Sequence, residues 1–468
     1  MGEAGAHRRS RAKSVGRVSS AIDVGALLDH SPWTAQQKRW TILAALAIIF
    51  DGFDIQILGF AIPSLIREWH VARSAFGPVL ALGLAGMAVG SPLAGYVGDR
   101  FGRRVALIGC VGLFGLATIA SSLVDGVAGL AVLRVLTGMG AGGALPNAAA
   151  LAAEFAPLRR RHAAVLLTIV CVPLGGMVGG VIASQVLPAL GWRALYGIGG
   201  AMPLGFAILL WLSLPESPRF LARRPEGRQR LTELLRRLGH AVDPGSTYED
   251  RTKVAADGRA PIRALFGTAL ARDTVGLWVA YFFCLASIYA IFGWLPTLLT
   301  SQGISLATAT TGLAVYNLGG VCGVVMWTLL ISAFGSRGPM LAGALGTAVS
   351  ALFVLLIPFH ANGSPVFLLV AVGLNGLLAN AVQTSMFALA AHVYPTAVRS
   401  SGVAYASAIG RTGGVISSLF GAVLIQAGPA VFWWAMAAAM VAVFAGLAWV
   451  RNHVVAVGEQ EPAGATVS

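Results

Sequence analysis

The chain has 468 residues, of which 56% are hydrophobic and 11% charged, and its formal net charge is +14. This composition excludes an ordinary soluble domain and predicts an all-α membrane protein, because the apolar runs are continuous and do not alternate as in a β-barrel. The excess of positive charge follows the topology of a membrane protein, so it does not indicate a nucleic-acid-binding surface.

Twelve apolar stretches are long enough to cross about 30 Å of hydrocarbon at 1.5 Å per residue. They are predicted at residues 40–66, 74–98, 104–124, 128–154, 162–187, 192–214, 274–299, 309–334, 339–357, 364–391, 399–427 and 429–450. An arginine-rich stretch divides them into six plus six. The predicted domains are an N-terminal tail (1–39), a six-helix half (40–214), a loop (215–273), a second six-helix half (274–450) and a C-terminal tail (451–468).

The basic residues predict the orientation. Of the 33 lysine and arginine residues, 28 fall in the tails and loops of one side. By the positive-inside rule, both termini and the loop 215–273 are expected in the cytoplasm. The first 38 or so residues are polar and basic and contain no short apolar core before a cleavage site, so no removable signal peptide is expected.

No cofactor is expected from the sequence. The four cysteines lie in predicted spans without metal-ligand or redox spacing, which indicates packing residues. The chain has no GxxxxGK[ST] sequence, so nucleotide-driven transport is not expected. We therefore expect a membrane protein that is not an enzyme and that binds no metal, nucleotide or nucleic acid.

Two aspartates interrupt the first apolar span. A carboxylate near the bilayer centre costs roughly 2.5 kcal/mol even on lenient insertion scales. The presence of both Asp51 and Asp54 in one span therefore requires a functional or structural explanation. Their i,i+3 spacing places both on one helical face, where they can share a cavity. One alternative is that an aspartate caps a helix break at Gly52. We favour a proton or substrate site inside a membrane bundle.

The loop between the second and third spans reads Gly95-Tyr-Val-Gly-Asp99-Arg100-Phe-Gly102-Arg103-Arg104. It matches GxxxDRxGRR, the loop signature of the major facilitator superfamily. An acid at a helix end can pair with arginines and with a neighbouring helix N-terminus, so a gating role is expected. The alternative is a solvated turn with charged ends. The corresponding loop of the second half, residues 332–337, has no acid, and no charge lock is expected there.

Two arginines lie within spans. Arg134 opens a glycine-rich segment that resembles RxxxGxGxG of the same superfamily, and its depth permits a pair with an aspartate of the first span. The alternative is a purely structural arginine. Arg411 lies about 18 Å deep in a span without acids, where its fork could bind a carboxylate. Further substrate-binding candidates are Asn147, Asn317, Asn375, Asn380, Gln383, Tyr281 and Tyr316, with Tyr289, Trp294 and Tyr405 nearby.

The two halves share a local pattern. The fourth span ends with Glu154 and Pro157 followed by Arg161, and the tenth ends with His392 and Pro395 followed by Arg399. This repeat predicts a duplicated six-helix unit with a substrate site near midplane between the halves. We assign Glu154 and Arg399 to the gating residues.

The chain as a whole resembles the aromatic acid:proton symporters of that superfamily, except in its tails and its central loop. The similarity rests on Leu27-Leu28-Asp29, Gln36, Asp51-Gly52-Phe53-Asp54, Leu145-Pro146-Asn147, Gly191-Trp192-Arg193, Pro215-Glu-Ser-Pro-Arg-Phe-Leu221, Tyr394-Pro395-Thr396, Arg399 and Gly410-Arg411. The resemblance implies proton coupling by Asp51 and Asp54, gating by Asp99 and its arginines, and a role in activity for Arg399 or Arg411.

The resemblance also implies a function. It points to uptake of a benzoate- or hydroxybenzoate-type carboxylate by proton symport across a bacterial inner membrane, by a protein that works as a monomer in the bilayer. Uptake of another organic acid, such as nicotinate, muconate or a dicarboxylate, shares nearly every feature. Drug efflux by proton antiport uses the same scaffold, although Arg411 suits its usual cationic substrates poorly. A membrane sensor would normally carry a larger soluble domain than this chain offers.

Overall fold

The computed structural model describes residues 21–243, 246–250, 262–267, 270–357, 365–395 and 398–456. Residues 1–20 and 457–468 of the predicted tails, 251–261 of the predicted loop and Thr396 lie outside these ranges. The helices are α1 (Val24–His30), α2 (Ala35–Trp69), α3 (Phe76–Phe101), α4 (Arg103–Ser121), α5 (Val127–Phe155), α6 (Arg161–Ser213), α7 (Pro218–Ala222), α8 (Arg228–Arg237), α9 (Ala271–Thr300), α10 (Leu306–Phe334), α11 (Arg337–Leu355), α12 (Val366–Val393), α13 (Arg399–Ala427) and α14 (Pro429–Trp449).

The described residues form eleven helices that are long and apolar enough to cross a membrane. One of them, α6, runs for 53 residues, or about 80 Å at 1.5 Å per residue, which is more than twice the thickness of the hydrocarbon core. Its backbone leaves the helix at Gly191, where φ is 78° and ψ is 178°. Only glycine adopts such angles readily. The predicted division between the fifth and sixth spans therefore falls at a real helix break.

The first long helix begins earlier than predicted and does not break. Thr34 precedes α2 and forms a capping box with Gln37, in which the Gln37 N–H donates to Thr34 Oγ1 and the Thr34 N–H donates to Gln37 Oε1. The helix then continues to Trp69 through Gly52. Neither aspartate caps a helix break at Gly52, so the two carboxylates are side chains of one continuous helix.

The helices pack as two halves, α2–α6 and α9–α14, that meet along a seam. Across it, α2 contacts α9, α3 contacts α13 and α6 contacts α10. A close approach across the seam involves Gly59, where a Cβ atom would lie 2.1 Å from the carbonyl oxygen of Phe292. Backbones touch there, and a side chain at Gly59 would force the two helices apart.

A small polar layer covers one end of the bundle. The strands β1 (Ile22–Asp23) and β2 (Tyr248–Glu249) pair in parallel, which joins the N-terminal segment to the central loop. Leu28 of α1 and Leu231 of α8 belong to one buried cluster beneath them. Residues of the predicted tail 1–39 and loop 215–273 thus share one structure. We call this end of the bundle the arginine-rich end and the other, which carries Arg67, Glu68 and Asp125, the opposite end.

Candidate transport site

A cavity of about 510 Å³ lies between the two halves. Its wall is formed by Asp51, Ile55, Met87, Ser91, Ala141, Gly142, Leu145, Pro146, Ala149, Ile169, Val172, Pro173, Leu285, Ile288, Tyr289, Phe292, Asn380, Gln383, Thr384, Phe387, Val403, Ser407 and Arg411. Most of these side chains are apolar, and the polar ones are few and come from both halves. A volume of this size suits a small organic molecule.

The two charged residues on this wall come from different halves. Asp51 of α2 is 1% exposed, and Arg411 of α13 is close enough to act on its charge. Among the described residues, Asp51 Oδ1 has no hydrogen-bond partner. A buried carboxylate oxygen without a donor is costly, and such a group is commonly found where a proton or ligand binds.

The second aspartate is held inside the first half. Asp54 is 2% exposed, and its Oδ1 accepts a hydrogen bond of 2.5 Å from Thr118 Oγ1 of α4. Arg134 of α5 lies 3.6 Å from its Oδ2 and donates from Nη1 and Nη2 to its backbone carbonyl at 3.2 and 3.3 Å. The predicted contact between Arg134 and an aspartate of the first span is therefore present, and Asp54 is the partner.

The two aspartates lie beside neighbouring spaces. A narrow recess of about 30 Å³ beside Asp54 and Arg134 shares the wall residues Ile55 and Tyr289 with the large cavity. Two carboxylates and two guanidinium groups thus lie around two adjacent spaces. When all four are ionised their charges cancel, which lowers the cost of burying them.

Three of the predicted substrate-binding residues line the large cavity, namely Arg411, Asn380 and Gln383. Asn380 and Gln383 project from α12 with Thr384, and Tyr289 of α9 adds an aromatic face. The second half thus supplies a cation, two amides and a ring to the same space. This combination can bind a planar molecule that carries a negative charge.

Three predicted amides do not line the cavity, and each donates hydrogen bonds to other parts of the protein. Asn147 donates to the carbonyl groups of Ala94 and Gly143, which fastens α5 to α3. Asn375 donates to Thr347 and Ser350 of α11. Asn317 exchanges hydrogen bonds with Gln56. Each of these amides joins helices in this structure, and none of the three is on the wall of the cavity.

The two predicted tyrosines lie behind the cavity wall. Tyr281 packs edge-on against Phe387, with ring centroids 5.6 Å apart, and Tyr316 packs edge-on against Phe292 at 6.0 Å. Phe387 and Phe292 face the cavity themselves. Tyr281 and Tyr316 therefore support the lining aromatic rings and do not contact the cavity.

The cavity extends toward the arginine-rich end. Val403 on its wall is four residues from the start of α13, and Phe387 is six residues from the end of α12, both at that end of the bundle. Toward the opposite end, the backbones of α2 and α9 meet at Gly59 and Phe292. The cavity therefore extends toward the arginine-rich end, and α2 and α9 are in contact on its other side.

The predicted gating loop is tied together at the arginine-rich end. Asp99 Oδ1 lies 2.6 Å from Arg103 Nη2, and Arg100 Nη1 donates to Tyr96 Oη at 2.9 Å. Gly102, with φ at 110°, separates α3 from α4. Gly95 lies one turn before Asp99 with open space around its Cα.

A carboxylate outside the signature caps this loop. Glu216 Oε1 accepts the N–H groups of Arg104 at 3.0 Å and of Ser217 at 2.9 Å. Burial raises the pKa of Glu216 above its ordinary value, and the two N–H donors oppose that shift. Ser217 in turn donates to Glu154. The Pro215–Leu221 motif thus connects the predicted gating residues Arg104 and Glu154.

The predicted gating residue of the second half lies apart from this cluster. Arg399 Nε donates to the carbonyl group of Tyr394 at 3.2 Å at the start of α13. The corresponding loop of the second half, residues 332–337, is held by hydrogen bonds to the C-terminal segment. The N–H of Ser336 donates to the carbonyl group of Val454 at 2.9 Å, and the N–H of Val454 donates to Ser336 Oγ at 2.9 Å. The C-terminal segment therefore takes the place of a charge pair there.

Sequence reasoning missed Thr118, Glu216 and Gln56. Thr118 lies in an apolar span, where a threonine hydroxyl normally donates to a backbone carbonyl of its own helix. The sequence therefore gives no indication that it contacts Asp54. Glu216 belongs to a motif that we used only for family resemblance. Gln56 lies two residues after Asp54 in the first span, and a buried glutamine there was a usable signal.

The fold and the site together define a multi-pass membrane transporter built of two helical halves, with a charged cavity at their seam. The sequence matches the Major Facilitator Superfamily over residues 44–313 and again over 277–467. It is 35% identical to the gallate transporter of Pseudomonas putida over 413 residues, which cover 88% of this chain and 90% of that protein. It is 34% identical to the 4-hydroxybenzoate transporter PcaK of Acinetobacter baylyi over 409 residues, or 87% and 89%.

Among solved structures, the fold is similar to that of the xylose transporter XylE of E. coli in its inward-open conformation. The TM-score is 0.68 at 18% identity, over 89% of this chain and 97% of that one. The chain belongs to the Major Facilitator Superfamily, among its aromatic acid transporters. The resemblance read from the sequence is confirmed. The protein is a multi-pass protein of the bacterial inner membrane and is not an enzyme.

Proposed function

We propose that this protein imports an aromatic carboxylate of the benzoate or hydroxybenzoate type by proton symport. The observation that carries the proposal is the presence of Asp51 and Arg411, from opposite halves, on the wall of one cavity of about 510 Å³. Arg411 binds the carboxylate, and Asn380 and Gln383 bind polar groups of the ring. The ring itself lies between the aromatic and apolar walls near Tyr289.

The charge balance supports proton coupling. Asp51, Asp54, Arg134 and Arg411 are formally neutral together. A carboxylate monoanion added to them leaves one negative charge in a closed, water-poor site, which costs several kcal/mol. One proton on Asp51 or Asp54 removes that charge. The substrate and the proton therefore stabilise the closed site together, with one proton for each monoanion.

The arrangement of the seam supports alternating access. The cavity extends toward the arginine-rich end, and α2 and α9 are in contact on its other side. We assign the arginine-rich end to the cytoplasm by the positive-inside rule, which makes this the inward-facing state. The two segments of α6 on either side of Gly191 then count as separate spans. This gives twelve spans with both termini cytoplasmic, and one chain contains the whole site.

The gate assignments remain part of the proposal. Asp99, Arg100, Arg103 and Arg104, together with Glu154 and Glu216, hold the first half at its cytoplasmic end. Rearrangement of this cluster accompanies closure of the cavity toward the cytoplasm. Arg399 at the mouth of α13 acts in the second half.

The test is uptake of labelled acids into proteoliposomes with an imposed pH gradient. We expect accumulation of benzoate-type acids that is driven by an inward proton gradient and is insensitive to membrane potential, because a 1:1 cycle is electroneutral. Unlabelled nicotinate, muconate and succinate, as competitors, test the other organic acids. Proton-driven release of the acid in place of uptake would contradict the proposal.

A further inference from the structure

A second pocket, of about 410 Å³, opens at the opposite end of the seam. It is lined by Pro63, Ile66, Arg67, Arg73, Thr297, Thr300, Ser301, Gly303, Ile304, Ser305 and Leu306, and we call it the seam pocket. The first half contributes the end of α2 and the turn before α3, and the second half contributes the end of α9 and the start of α10. Arg67 lies thirteen residues beyond Asp54 on α2, or about 20 Å from it.

The seam pocket carries two positive charges without acidic partners. Among the described residues, neither Arg67 nor Arg73 forms an ion pair. The only acids in the sequence between residues 55 and 98 and between 105 and 153 are Glu68 and Asp125, and both pair with Arg193. The local carboxylates are therefore engaged elsewhere, and the charge on the pocket wall is available to a ligand.

A structural role accounts for one arginine only. Arg67 lies in the last turn of α2 and donates from Nε to the carbonyl group of Pro63 at 3.3 Å, as cations at helix C-termini commonly do. Arg73 begins the helical turn that leads into α3, where the helix dipole disfavours a cation. The helix dipole therefore gives no structural reason for a cation at Arg73.

The hydroxyl groups around the pocket are covered or engaged. Thr297 is 2% exposed and lines the pocket, and its Oγ1 has no hydrogen-bond partner among the described residues. The neighbouring hydroxyls are engaged, since Thr300 donates to Pro296 at 2.9 Å and Ser301 to Leu298 at 2.7 Å. The Thr297 oxygen is covered, so the groups that can bind an anion entering the pocket are the guanidinium groups of Arg67 and Arg73.

We infer that the seam pocket is an anion-binding vestibule that holds the carboxylate of an aromatic acid before the transport site opens to that side. The inference rests on the proposed function for the identity of the ligand. Two fixed charges at a concave mouth raise the local concentration of an anionic substrate and its rate of association. The phosphate of an anionic lipid headgroup has similar chemistry, and the experiment separates the two ligands.

The direct test places a cysteine in the pocket. Ser301→Cys is made in a Cys322→Ser background, because Cys110, Cys171 and Cys284 are buried and only Cys322 is exposed. The rates of modification by a negatively charged and a positively charged methanethiosulfonate reagent are compared. We expect the rate for the negatively charged reagent, divided by the rate for the positively charged one, to fall at least about fivefold in Arg67→Gln/Arg73→Gln. The matched control, Arg67→Lys/Arg73→Lys, should keep the ratio.

Protection identifies the ligand. The protection experiment uses liposomes of phosphatidylcholine. There, 4-hydroxybenzoate should slow the labelling of the introduced cysteine in the protein that keeps Arg67 and Arg73 but not in Arg67→Gln/Arg73→Gln. The uncharged 4-hydroxybenzamide should have no effect in either protein. If added phosphatidylglycerol protects and 4-hydroxybenzoate does not, the site binds lipid and the inference is wrong. The inference would also be wrong if the ratio of the two modification rates were the same with Arg67 and Arg73 as in Arg67→Gln/Arg73→Gln.

Transport gives an independent readout. In Arg67→Gln/Arg73→Gln, the KM for uptake should rise about fivefold at low ionic strength with kcat unchanged, and it should approach the wild-type value in about 0.5 M salt. If the wild type transports no aromatic acid while protection by 4-hydroxybenzoate persists, the proposed function fails and the vestibule stands. If uptake proceeds but KM does not change in the glutamine variant, the vestibule fails alone.

Discussion

Gln56 of α2 and Asn317 of α10 exchange two side-chain hydrogen bonds, 3.1 and 2.8 Å long, across the seam between the halves. Both residues are completely buried. In the alternating-access cycle proposed above, opening of the opposite end separates these two helices, and the bonds belong to the closed arrangement of that end. Under that proposal, Asn317 stabilises one conformation.

Asn317→Ala should shift the protein toward the state that is open at the opposite end. Removal of one amide leaves Gln56 buried without a partner in the closed state, at a cost of about 1–3 kcal/mol, or roughly five- to 150-fold in the equilibrium. Distances between spin labels at the ends of α2 and α10 would measure the shift. Asn375→Ala is the matched control, because its hydrogen bonds to α11 remain within one half. An unchanged distance distribution in Asn317→Ala would contradict this role.

Asp51→Asn and Asp54→Asn should each abolish uphill accumulation while the protein remains in the membrane, because an amide cannot carry the coupling proton. The two variants should differ in stability, since Asp54→Asn also leaves Arg134 buried without its counter-charge. Adding Arg134→Gln to Asp54→Asn should restore part of the lost thermal stability but no accumulation. The measurements are pH-driven uptake and the melting temperature in detergent. Normal accumulation by both single variants would refute the coupling assignment.

Thr118→Val should lower the initial rate of proton-driven uptake. The Asp54 carboxylate accepts a hydrogen bond from the Thr118 hydroxyl at 2.5 Å, and loss of this bond releases the carboxylate from its position beside Arg134. Valine has nearly the same shape, and Thr118→Ser keeps the hydroxyl, so the serine variant should retain the wild-type rate. Initial uptake rates under an imposed pH gradient provide the test. Identical rates for the valine variant and the wild type would exclude Thr118 as a positioning residue for Asp54.

Several features of the site could be predicted from the sequence, because charged residues within apolar spans are few and their depths follow from helix geometry. Asp51, Asp54, Arg134 and Arg411 were found in this way, and Arg134 does contact Asp54. The roles of Asn147, Asn317 and Asn375 could not be predicted, because a buried amide satisfies its hydrogen bonds equally well in a cavity or between helices. Depth along a helix is readable from sequence, whereas the direction in which the side chain points depends on tertiary packing.

The fold, like the site, was predictable from the sequence only in part. The long apolar helices followed from length and hydropathy, and the break at Gly191 lies between the predicted fifth and sixth spans. The pairing of Ile22 with Tyr248 could not be anticipated, because two-residue strands in polar segments have no periodicity to detect.

Glu216→Ala should slow transport cycling without weakening substrate binding. Glu216 accepts the N–H groups of Arg104 and Ser217 at the start of α4, far from the cavity, so its loss leaves two helix-end donors unsatisfied in the gating cluster. Glu216→Gln keeps an acceptor oxygen and loses the charge, and it should lie between the alanine variant and the wild type.

The same pair of variants separates gating from folding. Equilibrium binding of 4-hydroxybenzoate in detergent should be unchanged in both, while counterflow in proteoliposomes should fall about tenfold or more in Glu216→Ala. Asp99→Asn, which removes the charge paired with Arg103, should show the same division between binding and cycling. If binding collapses in Glu216→Ala while the bound fraction still cycles at the wild-type rate, the carboxylate acts on the substrate site and not on the gate.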